Sequence, residues 1–501
     1  MNLFDMYRAA AADRGSEPAI TFARPPFEGI SLTWGDLMER ADLLAAELAN
    51  AGVGAGTRTG MEVVDHPDTM PALLAMWKLG AIPVLIDPLW GESIRAGVIS
   101  NSRADVVVSI GDGLEVEPTN GAPDDRPPLP PTTALVAYTS GSTAMPKGIP
   151  IRHERLVAAL HSSAGAVTTF RGDSPRRIAS SMRFSGAGVL ALHYLWSAAF
   201  LAEVVVLPPL ELATAGAYWE EVERYQIDQA VLVPPLFEIL LRVSNPGEHK
   251  RRPLFINASG PIPTKTHERF MERLDAVILN CYGLTETTFA CMVGDTDERG
   301  KTTQAVGRPD LVRIRLRAHD GTEVRGTGEG EATVSGPTVS DGYYDNDEAN
   351  AALFDGQWLR TGDLARRDET GKYWIVGRLK DAVMKGGSTI YLTEVEEACL
   401  ALGDVLEAVA VRADLPGGIE DLGIIVRPVE GAEPDSQELK GALEQALGPD
   451  RSPRRVVLTD RPLPRIGQNK IDRRSAQGLW EELTKPTPAS SPGALGEAPR
   501  A

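Results

Sequence analysis

The stretch "TSGSTAMPKG", Thr139 to Gly148, gathers hydroxyls, glycines and one lysine directly after the apolar run "ALVAY". Backbone N–H groups in a glycine-rich turn can converge on phosphate oxygens, hydroxyls add donors, and a lysine adds a point charge. The Gly-Lys-Ser order of a Walker loop is absent. Taken alone, the stretch reads equally well as a phosphate cradle or as a solvated turn. The seven histidines show no metal or triad spacing, and Cys281, Cys291 and Cys399 lack the paired spacing of a zinc site, so none of them is assigned chemistry.

Four further stretches follow in a set order: "NCYGLTET" (Asn280 to Thr287), "WLRTGDL" (Trp358 to Leu364), "GRLKDAVMKGGSTIYLTEVE" (Gly377 to Glu396) and "PLPRIGQNKIDRR" (Pro462 to Arg474). Weaker matches are "WKLGAIPVLIDP", "NASGPIP" and "GEGEATVSGPTVSDGYY". With the loop, these resemble the adenylate-forming superfamily of acyl-CoA synthetases, luciferases and peptide-synthetase adenylation domains, over nearly the whole chain. The resemblance implies a two-step reaction. A carboxylate attacks the α-phosphate of ATP to give an acyl-adenylate and pyrophosphate, and a thiol then displaces AMP.

The same resemblance distributes roles. Lys147 and the loop residues Thr139, Ser140, Gly141, Ser142 and Thr143 are expected to hold the β- and γ-phosphates, where charge builds on the leaving group. Tyr282 is expected to stack on adenine and Thr285 to touch the α-phosphate. Glu286 is expected to help hold Mg²⁺, a hard ion that prefers carboxylate and phosphate oxygens. Gly283 and the "NASGPIP" residues Ser259, Gly260 and Pro261 join the nucleotide site. Asp363 is expected to accept from both ribose hydroxyls, with Arg378 alongside. Lys470 would bridge the substrate carboxylate and the α-phosphate, and so offset the repulsion between two anions that must meet. Lys380 is the expected hinge of a mobile C-terminal domain, and Gly386 and Gly387 the expected wall of the pantetheine tunnel.

Amino-acid-activating relatives carry an aspartate where "SMRFSGAGVLAL" has Ser185; a buried ammonium without a partner is costly, so a free amino acid is an unsuitable substrate. Phe184, Gly186, Ala187, Gly188, Phe237, Gly283 and Leu284 are the expected pocket. Its glycines suggest a bulky hydrophobic acid, and natural-product pathways supply acids of that kind. Coenzyme A is the expected acceptor, with a carrier-protein pantetheine as the alternative. Three positions depart from the family pattern: Ala144 replaces a loop glycine, Phe184 a histidine, and Asn469 the glycine before Lys470. If the loop needs φ > 0 at 144, alanine costs on the order of 1 kcal/mol there. All three departures touch adenylation. An enzyme that only thioesterifies an acyl-adenylate made by a separate adenylating enzyme is therefore a second expectation, and a non-catalytic acid- or nucleotide-binding protein a third.

These residues need a scaffold. At 501 residues with 43% apolar content, the chain exceeds one core and is expected to form a large domain plus a smaller one. A net charge of -18 argues against nucleic acid or an anionic membrane as partner. The N-terminus has no signal-peptide layout and the cysteines form no disulfide framework, so a cytoplasmic protein is expected. Strands at "DVVVSI", "QAVLVPP", "LFINASG" and "AVILNCYG" alternate with helices such as "SLTWGDLMERADLLAAELANAG" and "TKTHERFMERL". That alternation implies layered, mostly parallel sheets covered by helices. A small β-subdomain is expected from about Gly307, an N-terminal domain over 1–379, an α+β lid over 380–484 and a disordered tail over 485–501. "EVEPTNGAPDDRPPLPPTT" reads as an internal loop.

Overall fold

The computed structural model describes residues 2–119, 127–139, 145–184, 186–243, 247, 249–294, 296, 302–385, 388–413, 415, 420–466 and 470–485. By its internal contacts the chain forms two compact units, one running to Lys380 and the other beginning at Asp381. The fold is α/β.

Two sheets dominate the first unit. An eight-stranded sheet is parallel through its centre: Leu254–Asn257 runs beside Val277–Tyr282 and Gln229–Leu232, with antiparallel strands only at its two ends. A six-stranded sheet has the same character. Arg58–Glu62, Ile82–Ile86 and Val106–Ile110 are parallel, and Lys147–Arg152 closes one edge antiparallel to Thr133–Thr139. The inner strands are almost wholly buried, which is why they read as continuous apolar runs. Helices pack against them. Trp34–Asn50 starts from a capping box in which Thr33 and Asp36 satisfy each other's backbone N–H groups, and it buries Leu37, Ala41, Ala45 and Leu48.

The glycine-rich stretch beyond Gly307 forms the expected β-subdomain, a third, largely antiparallel sheet built on Arg313–Arg317, Gly328–Ser335, Trp358–Arg367 and Tyr373–Arg378. The second unit pairs Val405–Arg412, Leu422–Pro428 and Arg455–Leu458 in one sheet, packed by Leu392–Leu400, Ser436–Leu447 and Arg473–Thr484. Among the described residues, no helix is long and apolar enough to cross a membrane.

One local expectation changes. "EVEP" was expected in a loop, yet Leu114–Pro118 is an edge strand antiparallel to Val106–Ile110, because the turn at Gly111–Gly113 folds it back. The apolar run after Phe184 is helical, and within it Leu190–Leu195 is π-helical, inserted between Gly186–Val189 and Trp196–Phe200. Such bulges occur frequently at functional sites.

Candidate active site

The site begins where two neighbouring parallel strands end, at Asn257 and Tyr282, the edge at which open α/β sheets bind ligands. Asn257 and Asn280 are register partners, and Asn257 Nδ2 donates to Asn280 Oδ1 at 2.8 Å and to the Gly260 carbonyl at 2.9 Å. That amide pair fixes the departure of both following loops. Ser259 takes φ +70° and is exposed with Pro261, while Gly260 is half-buried.

After Tyr282 the backbone doubles back tightly. A Cβ on Gly283 would lie 1.2 Å from the Phe289 carbonyl oxygen, so only glycine fits. Thr285–Thr287 then forms a single 3₁₀ turn that carries Glu286, followed by Thr288 and Phe289, both at positive φ. Leu284, Thr285 and Glu286 are half-buried.

Asp363 arrives from the third sheet. The strands Trp358–Arg367 and Tyr373–Arg378 are joined by a tight turn in which Asp368 Oδ1 accepts from the N–H groups of Thr370 and Lys372, at 2.9 and 3.0 Å. That turn sets Arg367, Arg366 and Ala365 against Tyr373, Trp374 and Ile375, and an irregularity between Leu364 and Ala365 then shifts the pairing by one residue, which puts Asp363 opposite Arg378. Arg378 Nε meets Asp363 Oδ1 at 2.9 Å, and the Tyr282 hydroxyl donates to Oδ2 at 2.9 Å. Burial pushes the Asp363 carboxyl above its ordinary range, against the pull of Arg378 and Tyr282. Each oxygen keeps one lone pair for an incoming hydroxyl.

On the phosphate side, Glu286 Oε1 accepts from the Tyr343 hydroxyl at 2.7 Å, and the Lys147 ammonium lies 4.7 Å from the centre of the Tyr343 ring. Lys147 opens its edge strand opposite Thr139. Among the described residues, Glu286 Oε2 has no partner, and no group of three or more acidic, histidine or cysteine side chains gathers around a point. That donor set fits a hard ion held by one carboxylate and otherwise by substrate phosphates.

On the expected acid side, the N–H of Phe184 donates to both oxygens of Asp65, at 3.1 and 3.0 Å, and Asp65 is ion-paired with buried Arg24. The Phe184 ring stacks on Tyr194 at 4.6 Å. Gly186 takes φ +76° with open space where a Cβ would stand, and Ala187 and Gly188 are half-buried beside it. Phe237 is the remaining aromatic residue of the expected pocket. It is fully buried and packs edge-on against Phe255 and Phe270, because the helix Pro234–Val243 turns its apolar face to the core.

Ser140, Gly141, Ser142, Thr143, Ala144, Ser185, Gly386, Gly387 and Asn469 lie outside the described residues, as does the side chain of Lys470. Lys470 itself begins a short strand, and Lys380 sits in a 3₁₀ turn between the two units. Sequence reasoning missed Asp65, Asn257 and Tyr343. The last was quoted within "SDGYY", but its partner Glu286 stands far away in the chain.

The profile of the family described as AMP-binding enzyme matches residues 7–344. The chain belongs to that family of adenylate-forming enzymes. It is 27% identical to the sulfoacetate–CoA ligase of Cupriavidus necator, over 94% of this chain and 97% of that one. It is 28% identical to a feruloyl-CoA synthase of Amycolatopsis, over 88% of this chain and 93% of that one. The fold matches the crystal structure of the anthranilate CoA ligase AuaEII in complex with anthranoyl-AMP, with a TM-score of 0.80 at 19% identity over 96% of this chain and 98% of that one.

Proposed function

We propose that the protein converts a hydrophobic, bulky carboxylic acid into its CoA thioester through an acyl-adenylate. The acid's oxygen attacks the α-phosphorus and the bond to pyrophosphate breaks. The sulfur of CoA then attacks the acyl carbonyl, and AMP leaves with its phosphate oxygen. One observation carries the reading: the segment from Tyr282 to Thr287 both bonds the buried carboxylate suited to ribose, Asp363, through the Tyr282 hydroxyl and carries the carboxylate suited to a metal, Glu286.

In this reading Asp363 and Arg378 orient the nucleotide. Lys147 and the loop before it take the β- and γ-phosphates, Glu286 holds Mg²⁺, and Lys470 brings the acid to the α-phosphate. Bound Mg²⁺ would supply charge neutralisation at the phosphate oxygens. Lys380 is the pivot that withdraws Lys470 for the second step, and Gly386 and Gly387 admit the thiol. Named relatives act on acids as different as sulfoacetate and ferulate, so the family does not specify the acyl group. The open ground at Gly186 and the aromatic stack of Phe184 on Tyr194 support an apolar body. A panel of acids tests this. Bulky hydrophobic acids should give the highest kcat/KM, and a small aromatic or a charged acid as the best substrate overturns it.

The departures at Ala144 and Asn469 favour a second reading, in which adenylation is weak and the acyl-adenylate comes from another enzyme. Brisk exchange of pyrophosphate into ATP with the acid eliminates it. Thioester formation from supplied acyl-AMP and CoA, with exchange restored only in Ala144→Gly, establishes it.

A further inference from the structure

Tyr343 touches both charged groups assigned to the polyphosphate. Its hydroxyl donates to Glu286 Oε1 at 2.7 Å, and its ring faces the Lys147 ammonium at 4.7 Å. The ring is itself held. The Asn350 side chain accepts from the Tyr343 N–H at 2.7 Å and donates to its carbonyl at 2.8 Å, clamping both backbone groups of one residue. Gly342 precedes it at φ +105°, and a Cβ there would come within 2.4 Å of Asn350 Oδ1. On either side, the Ser340 N–H donates to the Glu286 carbonyl at 2.8 Å, and the Tyr344 N–H donates to the Gly148 carbonyl at 2.7 Å. The segment that carries Tyr343 is thus bonded to the residue after Lys147 and to Glu286 itself.

We propose that Tyr343 is a positioning residue for the metal–nucleotide complex: its hydroxyl aims the Glu286 carboxylate at the cation and its ring holds the Lys147 ammonium toward the phosphates. The two contacts use separate parts of one side chain. The hydroxyl leaves Glu286 Oε2 as the oxygen offered to the ion. The ring attracts the ammonium through its negative face but offers no hydrogen bond, so an arriving phosphate wins the proton donors without displacing a salt bridge. This inference rests on the proposed assignment of Lys147 and Glu286 to the phosphates and Mg²⁺.

The two parts are separable by substitution. Tyr343→Phe keeps the ring and removes only the bond to Glu286, whereas Tyr343→Leu removes both contacts. Binding of ATP is followed by calorimetric titration with excess Mg²⁺ and again with EDTA, with neither acid nor CoA present, and AMP titration serves as the control. Tyr343→Phe is expected to bind ATP about tenfold more weakly with Mg²⁺ and unchanged with EDTA, the size expected for a hydrogen bond to a charged group. Tyr343→Leu is expected to be weaker in both conditions, with AMP affinity preserved in both variants. If wild-type protein binds ATP no better with Mg²⁺ than with EDTA, the assignment of Glu286 fails. If Mg²⁺ helps the wild type and helps Tyr343→Phe equally, the positioning role fails while the assignment stands. A loss of equal size for ATP and AMP in both variants overturns it as well, since that pattern marks general damage. Should Tyr343→Leu not fold, the comparison of wild type with Tyr343→Phe decides alone.

Discussion

Asp363 and Arg378 face each other as register partners across two antiparallel strands, and their charged groups meet at 2.9 Å with the carboxylate buried and the guanidinium half-exposed. The asymmetry matters for mutation. Removing the carboxylate's charge leaves a guanidinium that is already half in water, whereas removing the guanidinium strands a buried anion. Asp363→Asn should therefore fold with a melting temperature close to wild type, yet lose about tenfold or more in AMP affinity by calorimetry, because charged acceptors contribute roughly 1.5–3 kcal/mol. Undiminished AMP affinity would show that this carboxylate does not hold the ribose.

Gly283 gives the opposite kind of outcome. An added methyl meets the Phe289 carbonyl at 1.2 Å, and backbone must move to admit it. Gly283→Ala is expected to lose about 3 kcal/mol or more, by the overpacking and backbone-strain mechanisms that produce the largest single-site effects. Urea denaturation reads this directly, and a midpoint equal to wild type refutes it.

Lys380 lies within the 3₁₀ turn Leu379–Asp381, directly after the strand that ends at Arg378. Proline there fixes φ and removes the N–H. If the two half-reactions use different arrangements of the chain about this turn, Lys380→Pro should keep one at its wild-type rate and lower the other at least about tenfold. Pyrophosphate exchange and thioester formation from acyl-AMP measure them separately. Equal losses in both assays would remove the hinge.

His193 lies in the π-helical turn, wholly buried, with no hydrogen-bond partner for Nδ1 among the described residues, and burial lowers its pKa to about 3. The unfolded chain, with an ordinary histidine pKa near 6.5, binds a proton below that pH while the folded chain does not. Stability from this residue is complete above about pH 6.5 and declines on acidification toward pH 3, by up to about 1.4 kcal/mol per pH unit. His153 adds in the same sense: its Nδ1 accepts from the Leu3 N–H, and its pKa falls to about 4. The urea midpoint of His193→Phe between pH 6.5 and 4.5 should decline less steeply than wild type by about one proton. Identical slopes would contradict the assignment.

The parallel layers were legible because a strand buried on both faces must be apolar along its length, as Ile82–Ile86 is. Asp363 and Arg378 were legible only through their motifs, since their partnership depends on a register set by the turn at Asp368 and then shifted by one residue between Leu364 and Ala365. The packing of Phe237 was not legible, because an apolar residue in an amphipathic helix reads the same whatever its neighbours, here Phe255 and Phe270. The π-helical turn and the clamp of Asn350 on Tyr343 left no local sign. Asn350 stands only seven residues from Tyr343, but their contact depends on the non-repeating turn between them, where composition and period carry no information.

The strand that opens with Lys147 is the outermost of its sheet, and an unpaired rim of that kind invites a second chain to add itself and start an aggregate. Here the rim is occupied. Tyr344 bonds to Gly148, while Arg152 and Arg155 hold Asp341 at 2.7 and 2.6 Å. The segment carrying Tyr343 therefore also acts as a guard against self-association, so selection on solubility and selection on nucleotide chemistry fall on the same few residues.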